Sequence, residues 1–279
     1  MYSKEFVDLV NHSNWRDKFI GYGNPDADIL IIGQEAATVK SIIEQEAAHV
    51  KNIIGQDDAL KKEIERYEKF YKPNQSQWKE TIEHNHLPQT DSQGAYKFPK
   101  FVPSFPFKTQ KATIRSDRGN SGATWYWYQR LHNQIYPDAK DPNGNINFFE
   151  RIFITELNGE PRKNHKDKQE NIKSQIAKRF DIMRETKAFW SHFKVVLFLC
   201  GSYSAAIDVV SAQTILATNP GDESARKKAS EKIELFESIF GHQAIPFYGP
   251  QFSGRDRHHI HPKAWIEKYA GDVRKALPK

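Results

Sequence analysis

Four short apolar runs limit how this chain can fold: ADILIIG at 27–33, RIFITEL at 151–157, KVVLFLCG at 194–201 and QAIPFYG at 243–249. Each is rich in β-branched and aromatic residues, lacks alternation and is bounded by turn residues, the pattern of strands buried on both faces. Segments of helical period lie between the second, third and fourth runs: KQENIKSQIAKRFDIMRETKAFWSHF, then YSAAIDVVSAQTIL and SARKKASEKIELFESIF. Strand–helix repetition predicts an α/β fold, a three-layer α/β/α sandwich around a central four-stranded parallel sheet. In such sheets ligands bind outside the carboxyl ends of the strands. The residues that follow each run are therefore the first candidates for a site.

The first and second runs are far apart. Residues 36–72 read as one or two helices with a break at Gly55. Residues 73–121 are rich in Pro, Gly, Ser and aromatics without periodicity, as a lid, a binding loop or a disordered segment would be. GATWYWYQRLHNQIYP, 122–137, reads as the next helix. With no repeat and no linker, the chain is expected to form one domain over 1–279, carrying a large insertion at about 38–121.

Composition narrows the classes. Forty-one Lys and Arg against 35 Asp and Glu give a net charge of +6 over 279 residues, which suits a polyanionic partner. The single cysteine, Cys200, excludes an intramolecular disulfide and a cysteine-based zinc cage. Its place inside an apolar run makes it a core thiol. The N-terminal segment has no apolar signal core, and no stretch approaches the ~20 apolar residues of a membrane span. A soluble cytoplasmic protein with no membrane partner is expected. G-x-S-x-G, Walker A and G-x-G-x-x-G are all missing after these runs, which weighs against an α/β hydrolase or a common nucleotide-binding enzyme.

Every run ends in polar, glycine-rich sequence. The first gives Gly33-Gln34-Glu35, the second Thr155-Glu156-Leu157-Asn158, the third Gly201-Ser202-Tyr203-Ser204. After the fourth comes Gly249-Pro250-Gln251-Phe252-Ser253-Gly254, then Arg255-Asp256-Arg257-His258-His259-Ile260-His261-Pro262. A parallel sheet brings all four ends to one edge.

At these ends the chain resembles the uracil-DNA glycosylase superfamily. GNPDADILIIGQEAA is similar to that family's first motif, a strand ending in G-Q-D-P-Y or G-E-A-P-G. FLCGSYSA is similar to its third-strand ending, of the type LLWGSYAQ, and the last motif of the family reads H-P-S-P-L-S. The resemblance covers roughly residues 20–37 and 122–275. It implies a metal-independent, cofactor-free, monomeric DNA glycosylase that hydrolyses the bond between a flipped-out base and deoxyribose. Such a reaction builds positive charge on the sugar and negative charge on the departing base. It calls for a carboxylate near the sugar, donors near the base and a pocket that takes the extruded nucleotide.

Carried over residue by residue, Glu35 stands where the family has its catalytic Asp, and Gln34 supplies a pocket amide or backbone N–H. Capping of a following helix is the other reading of Glu35. Ala37 stands in place of the tyrosine that closes the pocket against C5 substituents. Glu156 takes the register of the asparagine that reads the uracil edge, with Asn158 two residues on. A carboxylate accepts from an amino group such as cytosine N4 and repels a carbonyl. Both departures point from plain uracil toward a bulky C5-modified cytosine; Glu156 paired with Arg162 or Lys163 is the structural alternative.

The last motif fits two registers. By distance, G-P-Q-F-S-G replaces it, placing Gln251 at the base and Ser253 on the DNA. By letters, His261-Pro262 is the motif. In the first register Arg255, Arg257 and His259 reach the DNA, and His258, His259 or His261 refills the anion-stabilising role. A metal site from H-H-x-H and solvated loop histidines are the alternatives. Gly201 and Ser202 open a helix whose N–H groups suit a phosphate, with capping by Ser202 compatible. Arg162 and Lys163 lie where backbone phosphates pass, or form a solvated face. Phe101, Phe105, Phe107 and Trp125 are candidates for base stacking, although Trp125, in a WYWY helix, reads better as a core residue. A non-catalytic nucleic-acid-binding module of the same fold, and a uracil-DNA glycosylase of base-excision repair, are the rival functions.

Overall fold

The computed structural model describes residues 2–15, 19–35, 74–83, 123–140, 147–158, 172–250 and 262–278. Helix α1 (Lys4–Asn11) starts at Ser3, whose hydroxyl accepts from the Phe6 N–H, and buries Phe6, Leu9 and Val10 at helical spacing. Next come β1 (Tyr22–Gly23), β2 (Ile29–Glu35), α2 (Asn74–Glu83), α3 (Ala123–Ile135) and β3 (Ile152–Asn158). Then follow α4 (Ile172–Glu185), the single-turn α5 (Lys187–Trp190), β4 (Val195–Phe198), α6 (Val209–Thr218), α7 (Glu223–Phe240), β5 (Ile245–Tyr248) and α8 (Pro262–Ala276).

All four expected strands form, and β3, β2, β4 and β5 are mutually parallel. The sheet is nevertheless five-stranded and mixed, in the order β1-β3-β2-β4-β5, because Tyr22–Gly23 pairs antiparallel with Ile154 and Phe153 at the edge. Two residues carry no periodicity, so this strand has no signature in the sequence. Gly23 explains its location: at φ +94 a side chain is disfavoured, and a Cβ would come 2.2 Å from the Ile152 carbonyl oxygen. At the opposite edge the N–H groups of Ile245 and Gly249 point inward, to the carbonyls of Lys194 and Phe198. Pro246 lies between them on the outward side, where a missing N–H blunts the edge against further pairing.

Two further expectations need correction. Strand β2 does not end at Gly33; its ladder with β3 continues to Glu35, opposite Asn158. The aperiodic loop expected over 73–121 begins instead with a helix, α2. Its Trp78 is fully buried, packs edge-on against Phe6 at 4.7 Å, and donates its indole N–H to the Gly21 carbonyl at 3.0 Å. One fully buried ring and the partly buried Ile82, in an otherwise polar helix, leave too little pattern to read.

Helices cover both sheet faces. On one, Phe153 meets Phe6 and Trp78 together with Phe189, Trp190 and Phe193, while Phe198 meets Phe236 and Phe240 of α7. On the other, Trp265 of α8 fills the space that a side chain at Gly249 would take, and α8 packs along α3. Cys200 is buried, as its apolar setting predicts. Among the described residues no helix is long and apolar enough to cross a membrane.

At the end of α3 a fully buried His132 approaches the side chains of Gln129 at 3.4 Å and Asn133 at 3.3 Å. Gln129 in turn accepts from the backbone N–H groups of Asn147 and Phe148, fixing the entry to β3. Burial lowers the His132 pKa from 6.5 to about 4; the contact with Asn133 opposes this, and the charge of Arg151 adds to it. A depressed histidine stabilises the fold fully above pH 6.5 and loses that contribution as pH falls toward 4. Complete protonation costs about 3 kcal/mol at 1.36 kcal/mol per pH unit. Urea titrations from pH 7 to 4 should therefore show a steeper loss of stability for the wild type than for His132→Leu. Parallel curves would contradict this.

Candidate active site

The chain order in the sheet decides where a ligand fits. From β2 the chain crosses to β3 on one side; from β4 it crosses to β5 on the other. The two central strands thus send their connections in opposite directions, which opens a crevice outside their carboxyl ends. Gly33, Gln34 and Glu35 border that crevice from β2, and Cys200 and Gly201 border it from β4. Glu156 and Asn158 stand next to them on β3, in the pairs Gly33 with Glu156 and Glu35 with Asn158. The residues expected at the ends of the first two strands therefore do share one edge.

Gly33 has a specific neighbour. A Cβ there would lie 2.4 Å from Glu156 Oε2 and 2.9 Å from its Cδ, so the carboxylate occupies the volume a side chain would need. The glycine thus makes room for Glu156. Glu156 is half-buried, with Oε2 shielded from solvent. Its charge reaches three buried groups. It adds to the effect of burial in raising the Tyr128 phenol on α3, and likewise the Cys200 thiol after β4. It also acts on Arg179 of α4.

Arg179 is almost wholly buried, beside the neighbouring residue of the same strand. Its Nη2 donates to Thr155 Oγ1 at 2.8 Å and to the Phe19 carbonyl at 2.7 Å, and its guanidinium lies 4.2 Å over the Trp15 ring. Thr155 Oγ1 donates onward to the Ile20 carbonyl at 2.7 Å. Burial pulls the Arg179 pKa down to about 9, and Glu156 acts against that fall. A guanidinium with such a pKa still carries its charge at pH 7. Sequence reasoning missed this residue, although a signal exists. Arg179 stands on the buried stripe Ile176, Phe180 and Met183 of α4, where a charged residue is out of place.

The end of β4 differs from expectation. Gly201–Ile207 forms a 3-10 helix, preceded by Cys200 and without a side-chain cap. The Gly201 N–H, expected to meet a phosphate, donates to the Gly249 carbonyl at 3.3 Å, and Gly201 itself has φ +56. The α-helix starts later, at Val209, where Asp208 caps by accepting from the Ser211 N–H at 3.0 Å.

Several expected site residues lie outside the described residues: Ala37, Arg162, Lys163, Gln251, Ser253, Arg255, Arg257, His258, His259 and His261. The aromatic candidates Phe101, Phe105 and Phe107 lie outside them too. Gln34, Glu35, Asn158, Ser202 and Trp125 are placed by their backbone alone. Among the described residues no cluster of His, Cys, Asp and Glu could hold a metal ion. The chain matches no family model, no curated protein and no solved structure.

Proposed function

We propose that the chain is a DNA glycosylase of the uracil-DNA glycosylase type, with helices layered on both faces of its sheet. In this reading it is a monomer that hydrolyses the N-glycosidic bond of a flipped-out base. The observation that carries this reading is the strand register Gly33–Glu156 and Glu35–Asn158 at the carboxyl ends of the adjacent strands β2 and β3. It gathers a carboxylate, an amide residue and a second carboxylate at one edge, at the carboxyl ends of parallel strands. Glu35 is the group that stabilises the developing sugar cation and orients water, with Gln34 beside it as a pocket amide. Glu156 and Asn158 read the base edge, aided by Gln251. The basic and histidine-rich segment 253–261 supplies donors to the leaving base and the phosphates.

The base is a C5-modified cytosine. A carboxylate at Glu156 accepts from an exocyclic amino group and repels a carbonyl at the same position. Ala37, in place of a phenol ring, leaves space for a C5 substituent. The test is abasic-site formation on duplexes carrying uracil, hydroxymethylcytosine or glucosylated hydroxymethylcytosine. Release of a modified cytosine is expected. Cleavage of uracil alone would overturn the base assignment, and retention of every base with intact DNA binding would leave a binding module.

A further inference from the structure

We propose that Gly33 is a positioning residue: its missing side chain lets the Glu156 carboxylate cross from β3 and stand over β2, so that the base edge is read from the strand that borders the crevice and carries Glu35. This rests on the function proposed above, whereas the placement of the carboxylate is a property of the free protein.

The sheet supplies the geometry. Gly33 and Glu156 are paired in register, and paired residues on neighbouring strands share one face. The strands lie about 4.8 Å apart, a gap that a glutamate side chain spans and an aspartate does not. Glu156 uses that length. Its Oε1 and Cδ lie 2.9 Å from the point where a Gly33 Cβ would stand, and Oε2 lies closer still. The whole carboxylate therefore sits in a side-chain slot of β2. Strand β4 bounds that slot on the other side. The Leu199 N–H donates to the Ile32 carbonyl at 2.9 Å, which carries the pairing one residue further and sets Leu199 beside Gly33. Leu199 leans away, over β5, into the slot of Gly249 that it shares with Trp265 of α8. Each glycine slot is thus filled from a neighbouring strand, and the slot of Gly33 is left to the carboxylate.

By its backbone Glu156 belongs to β3, one strand away from the crevice between β2 and β4. Its carboxylate does not. It stands over Gly33, which precedes Glu35 by two residues, about 7 Å along the same strand. The group that selects the base and the group that acts on the sugar are then both placed by one strand, fully buried through Ile29 to Ile32. A methyl group at position 33 would take the slot. It would meet the far end of a flexible side chain, and Gly33 lies outside the left-handed region, so its backbone accepts alanine. Gly33→Ala should therefore displace the carboxylate and leave the strand in place.

The first measurement needs no DNA. In the full chain labelled with carbon-13, the Glu156 carboxyl resonance is identified by its loss in Glu156→Gln. It should shift in Gly33→Ala; an unmoved resonance overturns the placement. Single-turnover base release is then compared on duplexes carrying hydroxymethylcytosine or uracil. Gly33→Ala should change the preference between the two bases by about tenfold or more. Glu156→Asp should do the same, because its carboxylate no longer reaches β2. In the double variant the change should be no larger than in either single one, since both remove the same acceptor from the same slot. Wild-type preference in Gly33→Ala or in Glu156→Asp overturns the proposal, as do effects that multiply in the double variant. Should Gly33→Ala fail to fold, Glu156→Asp decides: a changed preference supports the proposal and an unchanged one overturns it. Failure of the wild type to release any base would sink the proposed function, and the carboxyl resonance would still decide the role of Gly33.

Discussion

Replacing Phe153 by Ala should lower the free energy of unfolding by about 3–5 kcal/mol, the range for deleting a large buried aromatic. Phe153 is fully buried in β3, and its ring centroid lies within 6.5 Å of five others: Phe6, Trp78, Phe189, Trp190 and Phe193. These rings come from α1, α2, α5 and the turn that leads into β4, so one side chain joins elements far apart in the chain. It also lies against Gly21, where a Cβ would come 2.5 Å from its Cζ. Collapse of surrounding groups into the vacated space would have to move several rigid rings together, which keeps the cost near the top of the range. Urea unfolding should show a lower midpoint with an unchanged slope. Val210→Ala, at a position 52 % exposed, should change stability by no more than about 0.5 kcal/mol. A loss below about 1 kcal/mol for Phe153→Ala would mean that this ring cluster is not the centre of the fold.

The parts of this fold legible in the sequence are those whose burial is dense and local. Ile29 to Ile32 and Val195 to Phe198 are buried on both faces, so an unbroken apolar run marked them as strands. Helix α7 was legible for the same reason, through Phe236, Ile239 and Phe240. Elements held by a few long-range contacts were not. Strand β1 depends on two residues pairing with β3, more than 100 positions away, and α2 depends on the ring of Trp78 and on the buried amide of Gln75, which donates to the Val10 and His12 carbonyls. At the site, the candidate carboxylates could be read because strand ends are legible and parallel strands end together. Strand register is a tertiary property. It alone sets Glu156 against Gly33, where the missing side chain leaves the carboxylate its room. Arg179 shows the same limit, since its partners Phe19 and Thr155 are 160 and 24 residues away.

The largest functional effect is expected at Glu35. It is the last residue of β2, two positions beyond Gly33, at the central strand of the sheet. If its carboxylate stabilises the sugar cation and orients water, Glu35→Ala and Glu35→Gln should both slow base release by about 10²–10⁴-fold. The glutamine variant separates charge from shape, because it keeps the side chain's length and polarity and removes only the negative charge. Binding to duplex DNA should persist in both variants, or tighten slightly, since a carboxylate near phosphates is repelled by them. Glu156→Gln should behave differently. It replaces an acceptor with an amide that can also donate, and so should shift the choice of base more than the rate on the best one. Single-turnover release from a duplex of each base type, with affinity measured in parallel, distinguishes the two carboxylates. Equal rates for wild type and Glu35→Gln would remove Glu35 from the chemistry. A loss confined to Glu156→Gln would move the catalytic role one strand over, to β3.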